Sequence, residues 1–480
     1  MGMGDTAPAW LRRSVESTTD SVGVVIREQR RALGMSQTAV AGALSMTQQF
    51  LSQIENGSRS VTFEQRRKFS QVLDIAPERL GIAGTPHSAS ASDDRAPAIS
   101  ASRGLWRAQR AWLNQHRFEL AQLAAEWYAP EYRVSRTPLV AAPEWIPTEP
   151  IDIKDLQLSL DESEQHVSIT GRERESLTVR PLRSDDAHFD SYTAAIKHLE
   201  PPQLFESRPS YRFLGGSCVD RKMTFGLAAY FDKLDTAEAL GHEMAVVCSD
   251  GLPDKVAELR GRLPFRELIA DPFDPQTRAI VPAITTLTIR LRRYPEPPSF
   301  LLHWRDPVKV ATAAGVYDVI PAGEFQPSSV ALWDRRNDFS LWRNMVREYS
   351  EELLGTPEHD GTRTEPIDYE SWSLFQALEG AKRDGAVSAH VLGMALDALT
   401  LAATILTVVV IDDDVFDDLF GATVRFNDEG EIVAIGDGRA ADGIPFTEEA
   451  VTRLLESEPL ASPGAGCLTL AWRHRHMIIG

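Results

Sequence analysis

The sequence predicts a multidomain protein with an all-α domain at its N-terminus and a larger α/β or α+β domain at its C-terminus. Three observations predict this fold class. The chain has 480 residues, 43% of them hydrophobic, which is enough for two or three cores. Residues 21–82 break into short helical segments, whereas apolar β-rich runs outnumber helices beyond residue 130. A stretch rich in Ala, Ser, Pro and Asp separates the two parts.

The N-terminal domain, residues 21–82, is predicted to be a bundle of about five short helices, whereas residues 1–20 are predicted to be a flexible N-terminus. In the first helix four apolar residues lie near one face: Val22, Val25, Ile26 and Leu33. Gly34 is a natural residue to follow a helix end, and Ser36 is a natural N-cap for the next helix. These boundaries give two helices joined by a short turn.

A motif extends over two successive helices of this domain. It consists of Arg27, Arg30, Gly34, Ser36, Gln37 and Ala41, followed by Leu51, Ser52, Ile54, Glu55 and Gly57. The pattern resembles the helix-turn-helix family of phage repressors, the XRE or Cro/CI type. The resemblance implies that the second helix of the pair lies in the major groove of an operator in double-stranded DNA.

The resemblance also assigns roles to individual residues. It implies base contacts by Thr47, Gln48, Gln49 and Ser52, because glutamine can form two hydrogen bonds with adenine and hydroxyls can contact several bases. It implies phosphate contacts by Gln37 and Arg59. Leu51 and Ile54, on the opposite helix face, are expected in the core, and Glu55 is expected to be structural because phosphates repel a carboxylate.

The charge distribution limits where DNA can bind. Residues 1–82 carry ten Lys/Arg and eight Asp/Glu, a net charge of +2. Because the net charge of the whole chain is −19, the remaining residues carry a net charge of −21. Any contact with DNA is therefore expected to be confined to the N-terminal domain.

The stretch 83–103 is predicted to be a flexible linker, and residues 104–128 are predicted to form one connecting helix. This helix has apolar residues at roughly helical spacing: Leu105, Trp112, Leu113, Leu120, Leu123 and Trp127. It either pairs two protomers, as half-site reading by a homodimer requires, or packs on the body of its own chain. Residues 129–204 are left unassigned.

An acidic cluster follows a β-rich segment in the C-terminal part. In "RNMVREYSEELLG", residues 343–355, helical geometry places Glu348 and Glu352 on one face, with Glu351 beside them. Carboxylates four residues apart repel each other unless a positive charge lies between them. Mg²⁺ prefers such oxygen ligands, so the cluster is either a metal site or a solvated helix face.

The string formed by Arg347, Glu348, Glu351 and Glu352 resembles the core of the Nudix box, and Gly323 would take the place of the first glycine of that box. The resemblance implies that residues 205–480 form an α/β/α sandwich that hydrolyses nucleoside diphosphates linked to another group. It implies that Glu348, Glu351 and Glu352 bind Mg²⁺ or Mn²⁺ and that Arg347 orients them through salt bridges. This sequence departs from the family pattern in three ways, one of which is that Gly355 lies one place later than the pattern has it. Gly323 lies 24 positions before Arg347, where the family pattern has 14, and Phe339 stands where a glutamate belongs, with Asp338 the nearest acid.

Together the two halves predict a DNA-binding transcriptional regulator whose Nudix-like domain binds a nucleotide-type metabolite as effector, with catalysis lost or weak. One alternative is an active Mg²⁺- or Mn²⁺-dependent Nudix hydrolase that carries a DNA-targeting domain. Another is a regulator whose C-terminal part only dimerises or binds a protein.

No zinc, haem or flavin is expected, and the three cysteines are far apart and in no metal-binding spacing. The N-terminus has no signal-peptide pattern. The apolar run 398–411 is too short to span a membrane and is predicted to be a buried helix that leads into a core strand. A cytoplasmic protein without a membrane partner is therefore expected.

Overall fold

The structure is a computed structural model, and it describes residues 22–33, 35–44, 46, 48–55, 63–73, 75, 80, 97–185, 187–202, 205–305, 316–356, 365–421, 430–433 and 443–480. The chain divides into two compact units, one ending at Ser100 and the other beginning at Ala101. Each unit has its own hydrophobic core among the described residues. The predicted flexible segment 1–20 and residues 83–96 of the predicted linker lie outside the described residues.

The described residues 22–73 of the first unit form the helices α1 (Val22–Ala32), α2 (Gln37–Ala43), α3 (Gln48–Glu55) and α4 (Phe63–Leu73). Ser36 is the N-cap of α2, as predicted, and its hydroxyl accepts a hydrogen bond of 3.1 Å from the Ala39 amide. Val25 and Ile26 are buried in the core of this unit. Leu33 was expected beside them but is 47% exposed, because α1 ends at Ala32 and Leu33 lies in the turn that follows.

The predicted connecting helix 104–128 differs from the observed structure, which has two helices, α5 (Pro97–Gln115) and α6 (Arg117–Ala125), with a break at His116. Residues 97–103 of the predicted linker are the first turns of α5. Trp106, Leu113 and Leu120, each seven residues apart, are buried in the core of the second unit. The two helices therefore cover the body of their own chain, and a homodimer stays a prediction.

The second unit is an α/β structure with a large mixed sheet. Its strands are β1 (Leu139–Val140), β2 (Ile151–Asp152), β3 (Gln157–Leu160), β4 (Leu182–Ser184), β5 (Ala187–His188), β6 (Pro209–Ser217), β7 (Lys222–Ala229), β8 (Pro282–Leu291), β9 (Ser299–Phe300), β10 (Leu302–Arg305), β11 (Val316–Val319), β12 (Ala322–Glu324), β13 (Val387–Asp397), β14 (Ala403–Asp412), β15 (Gly430–Val433) and β16 (Ile444–Pro445). The large sheet has the order β1-β13-β14-β8-β9-β16, with β2 on β13 and β12 on β8. Among the described strands of this sheet, β14 and β8 pair in parallel and the other pairs are antiparallel.

Smaller sheets and many helices complete the unit. The smaller sheets have the orders β11-β10-β15, β3-β7-β6 and β4-β5. The helices are α7 (Tyr192–Leu199), α8 (Tyr230–Cys248), α9 (Pro264–Leu268), α10 (Asp334–Asn337), α11 (Leu341–Glu348), α12 (Ser373–Arg383), α13 (Asp413–Phe420), α14 (Glu448–Ser457), α15 (Ser462–Arg473) and α16 (Arg475–Ile478). A π-helical turn, Tyr349–Leu353, continues α11. Short 3₁₀ helices are Pro130–Tyr132, Pro143–Trp145, Ile153–Asp155, Arg174–Val179, Val256–Leu259 and Tyr369–Ser371.

Helices cover both faces of the large sheet. On one face Leu406, which pairs with Thr285 across β14 and β8, lies against Gly466 of α15. On the other face Thr288 forms a hydrogen bond of 2.7 Å with the Tyr349 hydroxyl, directly after α11. Thr285 and Thr288 are three residues apart in one strand, so their side chains point to opposite faces. The sheet is therefore the middle layer of an α/β/α arrangement.

The apolar run 398–411 is a turn and a strand, not the predicted helix followed by a strand. The Asp397 carboxylate accepts hydrogen bonds from the amide and the hydroxyl of Thr400, and Leu401 has a φ of 57°. These features close a tight turn between β13 and β14. Among the described residues, no helix is both long and apolar enough to cross a membrane.

Candidate functional site

Two of the polar residues that were predicted to contact DNA, Gln48 and Ser52, lie at accessible positions of α3. Gln48 is exposed and Ser52, one turn later, is partly exposed. Leu51 and Ile54 are fully buried on the opposite face, which confirms their expected core positions. Thr47, Arg59 and the side chain of Gln49 lie outside the described residues.

A continuous chain of hydrogen bonds connects the core of the first unit with this outer face. Arg30 donates two hydrogen bonds, of 2.5 and 2.8 Å, to the two carboxylate oxygens of Glu55. The Gln37 amide nitrogen donates to Glu55 over 2.9 Å, and the Gln48 amide nitrogen donates to the Gln37 carbonyl oxygen over 3.2 Å. Since Gln37 uses its nitrogen on one side and its oxygen on the other, its amide has only one satisfactory orientation.

This chain of hydrogen bonds bears on the base contact that was predicted for Gln48. One amide hydrogen of Gln48 is used by Gln37. A glutamine amide has a second hydrogen and an oxygen, which are the donor and the acceptor that a bidentate contact with adenine requires. Gln37 therefore supports Gln48 directly, and its own contact with a phosphate stays a prediction.

Glu55 is structural, as expected, because it is buried and ion-paired inside the unit. Burial raises the pKa of its carboxyl, but the hydrogen bonds from Arg30 and Gln37 outweigh burial and lower that pKa below its usual value. The same bond to Glu55 raises the pKa of Arg30. Both groups are therefore charged at neutral pH, and together they connect α1 with α3.

In the second unit, the residues predicted from the acidic segment meet at strand β12. Gly323 lies so close to Glu348 that a Cβ atom at this position would be 2.1–2.3 Å from the Glu348 carboxylate. The amide of Ala322, the preceding residue, donates a hydrogen bond of 3.0 Å to a carboxylate oxygen of Glu352. Glu352 is buried, whereas Glu348 and Glu351 are partly exposed. Gly323, Glu348 and Glu352 are thus brought together although 25 or more positions separate the glycine from the glutamates.

Arg347 lies in a buried polar network beside these glutamates. It forms an ion pair of 3.1 Å with Asp338 and donates hydrogen bonds to the Tyr369 hydroxyl and to the side-chain oxygen of Asn344. Tyr369 in turn donates to Asp338 over 2.8 Å. The Asn344 amide nitrogen donates to Glu348 over 3.3 Å, so Asn344 connects the Arg347 network with a predicted site residue.

The electrostatics of this network keep Arg347 charged. Burial lowers the pKa of its guanidinium, but Tyr369, Asp338 and Glu348 more than offset that effect, and the net pKa is raised. Burial raises the pKa of Tyr369, which stays a neutral hydrogen-bond donor. The sequence analysis considered Asp338 only as the acidic residue nearest to Phe339. It did not predict Asn344 or Tyr369 as residues of this network. Tyr369 lies 22 positions after Arg347, and no local pattern reports such a contact.

The geometry of the glutamates bears on metal binding. Within the described parts of the chain, no group of three or more His, Cys, Asp or Glu side chains is arranged to hold a metal ion. The Glu348 carboxylate lies close to Gly323, and Glu352 accepts a hydrogen bond from the Ala322 amide, so both glutamates lie beside β12. Binding of Mg²⁺ or Mn²⁺ by Glu348, Glu351 and Glu352 stays a prediction.

Comparison with known proteins identifies the first unit. Residues 26–80 match a family described as Helix-turn-helix, which is the XRE type predicted from the motif. No match to the chain was found among curated proteins. The matched segment contains α2 and α3 together with the Arg30, Glu55, Gln37 and Gln48 chain of hydrogen bonds. The chain therefore has a helix-turn-helix domain, which indicates a DNA-binding transcription regulator.

Proposed function

We propose that this protein is a transcription regulator that reads an operator through α3 and binds a nucleotide-type metabolite, as effector, in its second unit. The observation that carries the proposal is the exposed Gln48, held by Gln37 inside a domain that matches the helix-turn-helix family. The base-reading set is Thr47, Gln48, Gln49 and Ser52, with Gln37 and Arg59 at phosphates. A homodimer acting in the cytoplasm would match two half-sites of an operator.

The effector half of the proposal rests on the acidic segment and its surroundings. The segment from Arg347 to Glu352 resembles the Nudix box, and two features of the structure support the comparison. Helices cover both faces of a mixed sheet, and Gly323, which would take the place of the first glycine of that box, lies close to the Glu348 carboxylate. Gly323 is accordingly proposed to lie at the ligand.

The effector is proposed to be bound with weak or lost hydrolysis. Glu352 accepts a hydrogen bond from the backbone of β12, and Glu348 accepts one from Asn344. Phe339 stands where the family pattern has a glutamate. If Mg²⁺ or Mn²⁺ binds, Glu348, Glu351 and Glu352 are the proposed ligands, together with phosphate oxygens of the effector. A bound divalent ion would neutralise these phosphates, and Arg347 would act by keeping the helix and Glu348 in position.

Mass spectrometry tests the effector half. The full chain is incubated with Mg²⁺ or Mn²⁺ and a panel of nucleoside diphosphate derivatives, and both the products and the compounds retained on the protein are measured. Retention of one compound without turnover, lost in Glu352→Gln, is the expected result. Turnover abolished by Glu352→Gln would instead establish the active hydrolase. If the protein neither retains nor hydrolyses any compound, the remaining interpretation is a second unit that only dimerises or binds protein.

Selection of DNA tests the operator half. The full chain is used to enrich binding sites from random duplexes, and the enriched sequence is footprinted. The expected product is a sequence with two related half-sites about one helical turn apart. Recovery of sequences with no common element would contradict specific reading by α3. If the operator is found, the retained compound is added to the binding assay, where an effector must change the affinity for DNA.

A further inference from the structure

The helix α5, which follows the linker, is held on the second unit by buried polar contacts. Arg103 and Trp106 are both buried. Trp106 donates a hydrogen bond of 3.0 Å to the Val179 carbonyl oxygen. Arg103 donates to the carbonyl oxygens of Leu182 and Arg183 over 3.1 and 2.8 Å. Since the two donors are three residues apart, they lie on one face of α5, and this face is docked on the second unit.

A buried glutamate of α8 holds the next turn of α5 and the start of α6. The Glu238 carboxylate lies 3.6 Å from Arg110 of α5 and 3.1 Å from Arg117 of α6. Arg110 also pairs with Glu200 at 3.4 Å. Burial raises the pKa of Glu238, but Arg117 and Arg110 outweigh burial and lower it, so the carboxylate is charged. Docking of both helices therefore depends in part on one negative charge of α8.

The same helix, α8, carries a second ion pair that connects it with β12. Lys233 of α8 pairs with Glu324 of β12, and both side chains are largely buried. Glu324 directly follows Gly323, where a Cβ atom would meet the Glu348 carboxylate. Successive residues of a strand point to opposite sides. The Lys233–Glu324 pair therefore lies on the side of β12 that faces away from Glu348.

The two ion pairs line one small cavity, which has a volume of about 150 Å³. Arg117 and Glu238 belong to its wall, and so do Lys233 and Glu324. The positive charge of Lys233 also contributes to the low pKa of Glu238, so these two groups interact although Lys233 is paired with Glu324. A lysine ammonium sits on a flexible stem of four carbons, and the cavity leaves room for it to turn from one carboxylate to the other.

We propose that Lys233 couples β12 to the docking of α5 and α6. While Lys233 pairs with Glu324, the Glu238 carboxylate is left to the two arginines. If Glu324 moves away with β12, the ammonium of Lys233 becomes a buried charge without its partner, which is costly. It then turns to Glu238 and competes with Arg110 and Arg117, so that α5 and α6 are held less tightly.

The use of this coupling rests on the proposed function. Gly323, beside Glu348, is proposed to lie at the effector, and it directly precedes Glu324 in β12. An effector that displaces β12 would therefore act on the Glu324–Lys233 pair. In the sequence α5 directly follows the linker to the helix-turn-helix domain, so its docking is where a change in the second unit would reach that linker.

Hydrogen–deuterium exchange of the full chain, with mass spectrometry of its peptides, tests the coupling. Glu324→Gln removes the negative charge that holds Lys233. The amides of residues 101–115, in α5, are expected to exchange at least about fivefold faster than in the unaltered chain, the lower end of typical coupling between sites. Residues 403–412, in β14, are expected to keep their exchange rates, because the proposed effect is confined to α5 and α6.

A second substitution separates the proposed competition from the simple loss of an ion pair. Lys233→Met keeps an apolar stem and removes the charge. The double variant Lys233→Met, Glu324→Gln is expected to return the exchange of α5 to within about twofold of the unaltered chain, since no ammonium then competes for Glu238. If Glu324→Gln fails to fold by circular dichroism, Glu324→Asp replaces it, because its shorter side chain weakens the same pair.

The matched control is Glu379→Gln. It also breaks a glutamate–lysine ion pair, of 3.0 Å with Lys382, within α12. The exchange of α5 is expected to be the same in this control as in the unaltered chain.

Three results would overturn the inference. One is that α5 exchanges in Glu324→Gln as slowly as in Glu379→Gln. Another is equal acceleration in α5 and β14, which would mean that the substitution destabilises the whole second unit. The third is that α5 exchanges as fast in the double variant as in Glu324→Gln alone. Because neither DNA nor effector is added, a failure of the proposed function leaves these measurements unchanged.

Discussion

At the scale of single residues, Gln48 is the side chain on which operator reading is proposed to depend. A bidentate glutamine–adenine contact contributes about 1–3 kcal/mol of discrimination. Gln48→Ala is therefore expected to weaken binding to the selected operator by roughly tenfold or more. Because Gln48 is proposed to contact a base and not a phosphate, the salt dependence of binding is expected to stay the same. Fluorescence anisotropy at several salt concentrations measures both quantities.

The control for this substitution is Gln157→Ala, which removes an exposed glutamine from the second unit. It is expected to bind the operator as the unaltered chain does. Unchanged operator affinity in both Gln48→Ala and Gln49→Ala would contradict the assignment of α3 as the base-reading helix. A lower salt dependence in Gln48→Ala would instead indicate that this side chain contacts a phosphate.

Glu55 makes the first unit sensitive to acid. The pKa of its carboxyl is lower in the folded unit than the usual value of about 4.3. Its contribution to stability is therefore complete above that unfolded value, and it is lost as the pH falls through the folded pKa. The free energy of unfolding of the first unit is expected to decrease below about pH 4. Urea unfolding of the chain and of Glu55→Gln, followed at several pH values, measures this decrease. An equal decrease in both would show that other carboxylates cause it.

At the scale of elements, the crossing of α1 over α3 depends on Gly23. A Cβ atom at Gly23 would lie 2.1 Å from the carbonyl oxygen of Ile54. Backbone atoms cannot move aside as a side chain can, so Gly23→Ala is expected to destabilise the first unit by about 1–3 kcal/mol. Gly42→Ala, in α2, is the matched control because nothing lies within 4 Å of the added atom. The free energy of unfolding of that control is expected to rise by up to about 1 kcal/mol, because alanine favours the helix more than glycine does. Equal stability of the two variants in urea unfolding would contradict the close approach of α1 to α3.

Gly323 sets the approach of β12 to the helix that carries Glu348. The atoms that a Cβ would meet there are the carboxylate of Glu348, the end of a flexible side chain. Gly323→Ala is therefore expected to displace that carboxylate while changing the free energy of unfolding by less than about 1 kcal/mol. Retention of the effector in mass spectrometry is expected to be lost. Gly380→Ala, in α12, is expected to retain the effector, because the nearest atom that the added Cβ would meet is the end of the Arg383 side chain, at 4.0 Å. If Gly323→Ala retained the effector as the unaltered chain does, Gly323 would not be part of the ligand site.

The sequence predicts elements well where the signal is local. The end of α1 and the Ser36 N-cap of α2 lie where the local capping signals indicate. The helix predicted for residues 104–128 is interrupted at His116, because its apolar spacing fits either one helix or two. The apolar run 398–411, predicted to begin as a helix, begins instead with a turn. The hydrogen bonds of the Asp397 side chain close this turn, and the hydropathy of the run does not indicate them. Likewise, the resemblance to the Nudix box selected Arg347 and the glutamates as candidate site residues. It did not indicate Asp338, Asn344 and Tyr369 as contacts of Arg347, because these contacts depend on tertiary packing.

At the scale of the whole molecule, charge and packing follow the same division. The helix-turn-helix part carries a balance of +2 over residues 1–82, whereas the remainder carries −21. The hydrophobic cores of the two compact units have no described residue in common. A strongly acidic second part disfavours non-specific association with DNA, so specific binding depends on the small first unit. Composition alone predicts this division, whereas the order of strands in the second unit depends on contacts between distant residues.

Separate cores lead to a prediction about unfolding. Calorimetry of the full chain is expected to show two transitions, a small one from the first unit and a larger one from the second, since the enthalpy of unfolding scales with the number of residues. Gly23→Ala is expected to lower the midpoint temperature of the small transition only, by roughly 4–8 °C for each kcal/mol of unfolding free energy lost. Gly216→Ala is expected to lower the midpoint temperature of the large transition only. Its φ is 94°, and a Cβ would lie 2.2 Å from the carbonyl oxygen of Lys222. A single transition that both substitutions lower equally would mean that the units unfold together. In that case an effector bound in the second unit could change DNA affinity through stability alone, without a separate conformational switch.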